Sequence, residues 1–331
     1  MKCRSVTFAG NVIVDSVKML PSWPERGMLV NVSSVKRSVG GCVSNTGIDL
    51  KRLDPSMEVR AIAKIGGDEP GAFAVGTLSQ AGIDTSGVVA VEGAATSAVD
   101  CLTLEKTGER TFLCLKGAGA LLSPDDFNVD SLDCDIFHLG YLLLLDGMDA
   151  PDGEYGTKAA CLLAAVQAKG IRTSIDIVSE QSDRFARIVR PALKYCDYCV
   201  VNEIEASRAT GAGKDDMRGL CEGLVALGVR RCAVVHRPEG SAALDRNGGF
   251  ATLGSLELPD GWIVGSTGAG DAFCSGMLYS FLHGMPPEDG MRLASCAAAF
   301  NLSVPGSVDG ARSLAETFEL EKEFKRRKVC W

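Results

Sequence analysis

Short β-rich runs alternate with longer helical stretches along most of the 331 residues, and this alternation does most to limit what the chain can become. Residues 5–14, 59–65, 136–139, 172–176, 198–201 and 231–235 carry a strand pattern; residues 43–53, 71–81, 156–169, 185–194, 217–227, 269–283 and 290–304 carry a helical one. That order predicts an α/β fold, with a mainly parallel sheet between two layers of helices. Two stretches break the rhythm. Residues 97–104 and 110–115 read as strands turning at Lys106-Thr107-Gly108-Glu109, and the Pro/Gly-punctuated stretch near 15–40 lacks helical periodicity. Residues from about 15–40 and 94–118 are therefore expected to form a small β lid on one domain spanning 1–331. No 20–50-residue repeat or low-complexity linker divides the chain.

Composition narrows the function. With 34 Lys+Arg against 42 Asp+Glu the net charge is −8, so nucleic acid or an anionic membrane would need a local basic patch. The nearest candidate, Lys322 to Lys328, reads as a solvated helix end. The start of the chain is too polar for a signal peptide and the apolar run 159–166 too short to span a bilayer, so a cytoplasmic location is expected. The 13 cysteines are odd in number and irregularly spaced, as free thiols in a reducing compartment would be. Cys196-Asp197-Tyr198-Cys199 has redox or half-zinc spacing but no second such pair, and on a strand its thiols would point to opposite faces.

The segment richest in chemistry is Gly265-Ser266-Thr267-Gly268-Ala269-Gly270-Asp271-Ala272-Phe273, which follows an apolar piece and opens an amphipathic run. Small residues entering a helix leave its first amides bare, and bare amides at a helix start attract anions. An acid beside an anion site is unfavourable unless it has another task, such as taking a proton from an attacking hydroxyl. Alternatively, Asp271 is simply a first-turn acid after a Gly-rich turn. Neither the Walker loop nor Gly-x-Gly-x-x-Gly occurs at a strand–helix junction, which also disfavours a dinucleotide-dependent oxidoreductase.

This segment resembles the second signature of the ribokinase-like (phosphofructokinase B) sugar kinases, with the close match running from Gly268 to Phe273. Further marks occur in the family's order. Gly40-Gly41-Cys42-Val43-Ser44-Asn45 resembles the first signature, Asp15 sits where the family places a carboxylate that grips substrate hydroxyls, and Gly67 to Gly71 resembles its Gly-x-Asp-x-x-Gly stretch. Asn202-Glu203-Ile204-Glu205 fits its Asn-x-x-Glu motif. Bland readings stand beside these: Gly40-Gly41 as a tight turn, and Asn202 and Asp68 as helix caps.

The resemblance implies a ribokinase-like three-layer α/β/α kinase that phosphorylates a hydroxyl of a small sugar with ATP. Asp271 would be the base and the amides of Gly268, Ala269 and Gly270 the anion hole. Asp15, Gly40, Gly41 and Asn45 would hold the substrate. Asn202, Glu205, Arg237, Thr267 and Gly240 would serve the nucleotide, with Glu205 holding Mg²⁺ through water. The second signature's acid, which in many relatives helps bind a monovalent cation, falls at Gly265, so K⁺ would depend on carbonyls near 303–307. The protein would act as a monomer or as a homodimer joined through the lid. A nucleoside kinase, with Phe112 and Tyr141 as aromatic clamps, and a sugar-binding regulator without catalysis are the alternatives.

Overall fold

The strand Ser5–Gly10 (β1) is buried at every position, as befits a strand covered on both faces. In the computed structural model, which describes residues 4–331, it lies inside a nine-stranded sheet. The chain continues through β2 (Ile13–Leu20), β3 (Ser34–Gly40), α1 (Cys42–Leu53), β4 (Glu58–Gly66), α2 (Glu69–Gln80), β5 (Asp84–Val91), β6 (Ala98–Leu104), β7 (Arg110–Leu115) and β8 (Ile136–Leu142). Then come the one-turn α3 (Asp146–Asp149), the two-residue strands β9 (Pro151–Asp152) and β10 (Gly156–Thr157), α4 (Lys158–Ala168), β11 (Arg172–Ile177), α5 (Phe185–Leu193) and β12 (Tyr198–Asn202). After these follow α6 (Glu203–Thr210), α7 (Met217–Leu227), β13 (Cys232–Arg237), β14 (Gly240–Asp245), β15 (Phe250–Gly254), α8 (Ala269–His283), α9 (Pro287–Leu302) and α10 (Leu314–Glu323).

The large sheet runs β15-β14-β13-β12-β11-β8-β1-β4-β5. Pairing is parallel from β13 through to β5, and an antiparallel hairpin closes the other edge. Helices α1, α2, α8 and α9 bury their apolar sides on one face, and α4 to α7 on the other. This is the three-layer α/β/α fold expected. The direction of strand addition reverses between β1 and β8, which opens a crevice at their C-terminal ends, the usual ligand position in such sheets.

A separate four-stranded sheet, β3-β2-β6-β7, corresponds to the two irregular stretches. It is mixed, because β2 and β6 pair in parallel while the other neighbours are antiparallel. The run expected as one strand over 5–14 is broken at Asn11-Val12, so β1 belongs to the large sheet and β2 to the small one.

Other expectations are corrected. Strand β5, hairpin β14–β15 and helix α10 add elements the periodicity did not single out. Gly87 inside β5 and the small residues of Gly240-Ser241-Ala242-Ala243 dilute the β signal there. The basic tail is only partly solvated: α10 ends at Glu323, and Arg326 pairs with Glu321 and donates to the Gly254 carbonyl. Cys196 precedes β12 rather than lying on it, so its thiol and that of Cys199 share one buried core instead of facing opposite sides. Among the described residues no helix is long and apolar enough to cross a membrane.

Candidate active site

Asp271 stands in the first turn of α8, facing the crevice and only 7% exposed. Its Oδ2 accepts from Asn45 Nδ2 at 2.9 Å, and its Oδ1 accepts from Tyr141 Oη at 2.7 Å and Thr46 Oγ1 at 3.2 Å. A carboxylate offers about four lone-pair positions, so these three donors fix the group and leave room on Oδ2 for one more hydroxyl. Burial raises the pKa of Asp271, and the bonds from Tyr141, Asn45 and Thr46 oppose that rise. The result is a carboxyl of increased basicity.

The helix start behind it carries only small residues, Gly268-Ala269-Gly270. Gly268 caps α8 at φ 81°, and a Cβ there would lie 2.2 Å from the Ser307 carbonyl, so only glycine fits. The Ala269 amide makes only a long 3.4 Å turn bond to Ser266 O. At Gly270 the nearest atom to an added Cβ is His236 Cε1, 3.8 Å away, so packing alone does not demand a glycine. Gly270 lines the cavity beside Asp271.

On the other side of Asp271, the chain passes from β3 through Gly40-Gly41 into α1. Gly41 holds φ 84°, and a Cβ on Gly40 would lie 2.2 Å from Asp15 Oδ2, so the Gly-Gly pair seats the Asp15 carboxylate as well as turning the chain. Burial, with a smaller contribution from Asp271, pushes Asp15 up to about 6. Asn45 Oδ1 is buried without a partner among the described residues, an acceptor left over for a ligand hydroxyl.

A cavity of about 180 Å³ extends from Asp271 and Gly270 to Tyr141, Asp176, Asn202, Glu205 and His236. Asn202 and Glu205 form a reciprocal cap on α6: Asn202 Oδ1 accepts from the amides of Ile204 and Glu205, and Glu205 Oε2 accepts from the Asn202 amide at 3.0 Å. Ser179 Oγ donates to Glu205 Oε1 at 2.6 Å. Burial lifts Glu205 to about 7, against those hydrogen bonds. Asp176, at the end of β11, is held well above the usual carboxylate range by burial and by the charges of Asp271 and Glu205. Burial also drives His236, tilted against Phe273 at 4.7 Å, down to about 4.

The remaining nucleotide candidates lie further out. Arg237 is engaged by Asp215 at 3.0 Å and Glu239 at 2.6 Å. Gly240 packs against Leu253 and Trp331 in the edge hairpin. Thr267 Oγ1 accepts from Arg110 of β7 at 3.3 Å, a contact between the small sheet and the anion loop. Asp68 caps α2 through the Gly71 amide and also accepts from the Thr96 amide at 2.8 Å. Sequence reasoning missed Asp176, Thr46, Ser179 and the bond from Tyr141 to Asp271. The one legible hint was an acid inside the apolar run Ile175-Asp176-Ile177.

Comparison with known proteins agrees with this geometry. The model of the pfkB family of carbohydrate kinases matches residues 5–313. An ATP-dependent ribose-1-phosphate kinase of Halopiger xanaduensis is 25% identical over 316 residues, 93% of this chain and 94% of the relative. A deoxyribokinase of Salmonella typhi is 22% identical, covering 94% of this chain and 96% of its own. Among solved structures, Arabidopsis thaliana ribokinase complexed with ribose and ATP superimposes with a TM-score of 0.79 at 19% identity, covering 96% of this chain and 98% of that one. A putative ribokinase II of E. coli in complex with ATP and Mg²⁺ gives 0.77, again at 19% identity, over 97% of this chain and 99% of that one. With a buried carboxylate at a bare-amide helix start and a family match over nearly its whole length, the chain belongs to the pfkB family of carbohydrate kinases.

Proposed function

We propose that the protein transfers the γ-phosphoryl group of ATP to a hydroxyl of a small sugar, with Asp271 as general base. The observation that carries this is the Asp271 carboxylate, fixed by Asn45, Thr46 and Tyr141 beside the Gly268-Ala269-Gly270 start of α8. The substrate hydroxyl takes the free position on Oδ2 and gives its proton there as its oxygen bonds to the γ-phosphorus. The bond to the β-phosphate oxygen breaks, and ADP leaves. The three amides, and the positive end of the α8 dipole, stabilise charge on the group in flight; one such donor is worth about 3 kcal/mol.

Asp15, seated on Gly40 and Gly41, and the free Asn45 Oδ1 fix the sugar's other hydroxyls. Asn202 and Glu205 serve the phosphate end. Both Glu205 oxygens already accept hydrogen bonds, so the residue suits Mg²⁺ held through water, with Asp176 lining the same cavity. Mg²⁺ held there would offset the charge of the phosphates. Thr267 sits at the anion loop, whereas Arg237 and Gly240 serve the nucleotide only from the edge hairpin. The carbonyl of Ser307, packed on Gly268, is the candidate for a monovalent cation.

The small sheet acts as a lid on a single kinase domain, excluding water from the reacting group. Phe112, Leu113 and Leu115 on β7 are exposed and suit pairing of two lids in a homodimer. An ADP-release assay over a panel of sugars and nucleosides tests the reading. A sugar is expected to be turned over, and Asp271→Asn to lower kcat by about 10² to 10⁴. Phosphorylation of nucleosides alone, or undiminished turnover in Asp271→Asn, would overturn it.

A further inference from the structure

Beneath the phosphoryl-transfer groups lies a second cluster, in which Cys42 and His138, unused by the reaction, stand beside Asp176 of the cavity wall. Cys42 opens α1, His138 lies mid-way along β8, and Asp176 ends β11; one donor atom of each lies within 4.8 Å of the others. Cys42 and His138 are fully buried. His138 Nε2 lies 3.1 Å from Cys42 Sγ, and its Nδ1 lies 3.0 Å from Ser174 Oγ. Asp176 accepts only from the Ile177 amide, at 2.7 Å, and no cation pairs with it among the described residues. It also lines the cavity, so the cluster has an open side.

We infer that Cys42, His138 and Asp176 form a Zn²⁺ site whose occupancy inhibits the kinase. A sulfur, an imidazole nitrogen and a carboxylate oxygen on rigid elements are a zinc donor set, whereas Mg²⁺ prefers oxygen ligands alone. Bond lengths of about 2.3 Å to sulfur and about 2.0 Å to nitrogen place those two atoms about 3.5 Å apart, so the pair opens by only a few tenths of an ångström. In the Nδ1–H tautomer, Ser174 Oγ, 3.0 Å away, accepts from Nδ1 and leaves Nε2 bare for the metal, the outer-shell partner such ligands require. Cys42 binds as thiolate, its proton passing to solvent. Water from the cavity completes the tetrahedron. The metal then fixes Asp176 and places a dication on the wall shared with Asp271, weakening that base and obstructing the phosphate end.

The inhibition half of this inference rests on the proposed function; the binding half does not. The test uses the full chain with Cys114→Ser and Cys330→Ser, since both those thiols are exposed. Titration with Co²⁺ alone is expected to give one equivalent with a thiolate-to-metal charge-transfer band, displaced by Zn²⁺ and absent in Cys42→Ala and Cys42→Ser. Zn²⁺ should lower turnover at least tenfold, while Cys42→Ala keeps its zinc-free rate within about twofold and resists the metal. Absence of the band, or its persistence in both Cys42 variants, overturns the site. Binding without inhibition overturns the regulatory role. If no sugar is phosphorylated even without metal, the proposed function has failed, and the Co²⁺ titration still decides the site.

Discussion

The Asn45 side chain donates a 2.9 Å hydrogen bond to Asp271 Oδ2 across 226 residues of sequence, joining the helix that opens the substrate side to the helix that opens the anion side. Removing it in Asn45→Ala frees one oxygen of the base and deletes the unpartnered Oδ1 as well. Turnover should fall by 10-fold or more and KM should rise. Steady-state kinetics that moved only one of the two would contradict the double role.

Tyr141→Phe removes a single 2.7 Å donor and keeps the ring. A hydrogen bond to the ionised form holds a carboxyl's pKa down, so its loss raises that of Asp271. The acidic limb of the kcat/KM profile should move to higher pH, and activity near neutrality should drop several-fold while activity at alkaline pH recovers. An unmoved limb would mean that Tyr141 does not tune the base.

Asp15 trades stability for binding. Its folded pKa of about 6 lies above the ordinary value of 3.8, so the folded state holds this proton more tightly than the unfolded one. Stability therefore falls as pH rises from 3.8 to about 6 and stays lowered above that. Asp15→Asn removes the penalty, roughly 2 kcal/mol after allowance for partial exposure. Denaturant melts at pH 7 should show a more stable protein, and sugar affinity should be largely lost. A destabilised variant at that pH would refute the assignment.

Two neighbouring glycines should behave differently. Gly268→Ala drives a Cβ into the Ser307 carbonyl at a left-handed backbone position, so it should cost about 2–3 kcal/mol of stability along with activity. Gly270→Ala meets nothing closer than 3.8 Å, so the protein should melt normally yet turn over at least tenfold more slowly, because the methyl group stands at the anion's place. Equal melting temperatures for the two variants would count against this division.

Arg110 reaches from β7 to Thr267 at 3.3 Å, the contact by which the small sheet touches the anion loop. Arg110→Ala should lower kcat about tenfold with little change in Tm, and raise the ratio of ATP hydrolysis to sugar phosphorylation. A ratio unchanged from wild type would separate Arg110 from lid closure.

What could be read from the sequence was what the chain determines locally. Gly268 to Asp271, Gly40-Gly41 and Asn202 to Glu205 sit at helix starts, where a few consecutive residues fix both backbone and chemistry, so their joint appearance pointed to the site. Asp176 and Tyr141 could not be placed that way. They meet Asp271 only because β8 and β11 are neighbours in the sheet, an order that strand periodicity does not encode. Arg237, expected to serve the nucleotide, is instead engaged by Glu239 and by Asp215, a partner 22 residues away that local sequence does not bring to it. The break at Asn11-Val12 was invisible for a related reason: β1 and β2 both carry strand character, and only their different sheets separate them.

That break has a mechanical consequence. Asp15 belongs to β2 of the small sheet, whereas Asp271 is anchored in α8 on the main body. On the proposed reading, a cover that swings away would carry the sugar's handhold from the base along with it. Docking of sugar and assembly of the reactive constellation would then be one motion, and an ATP molecule arriving alone would find only half the machinery.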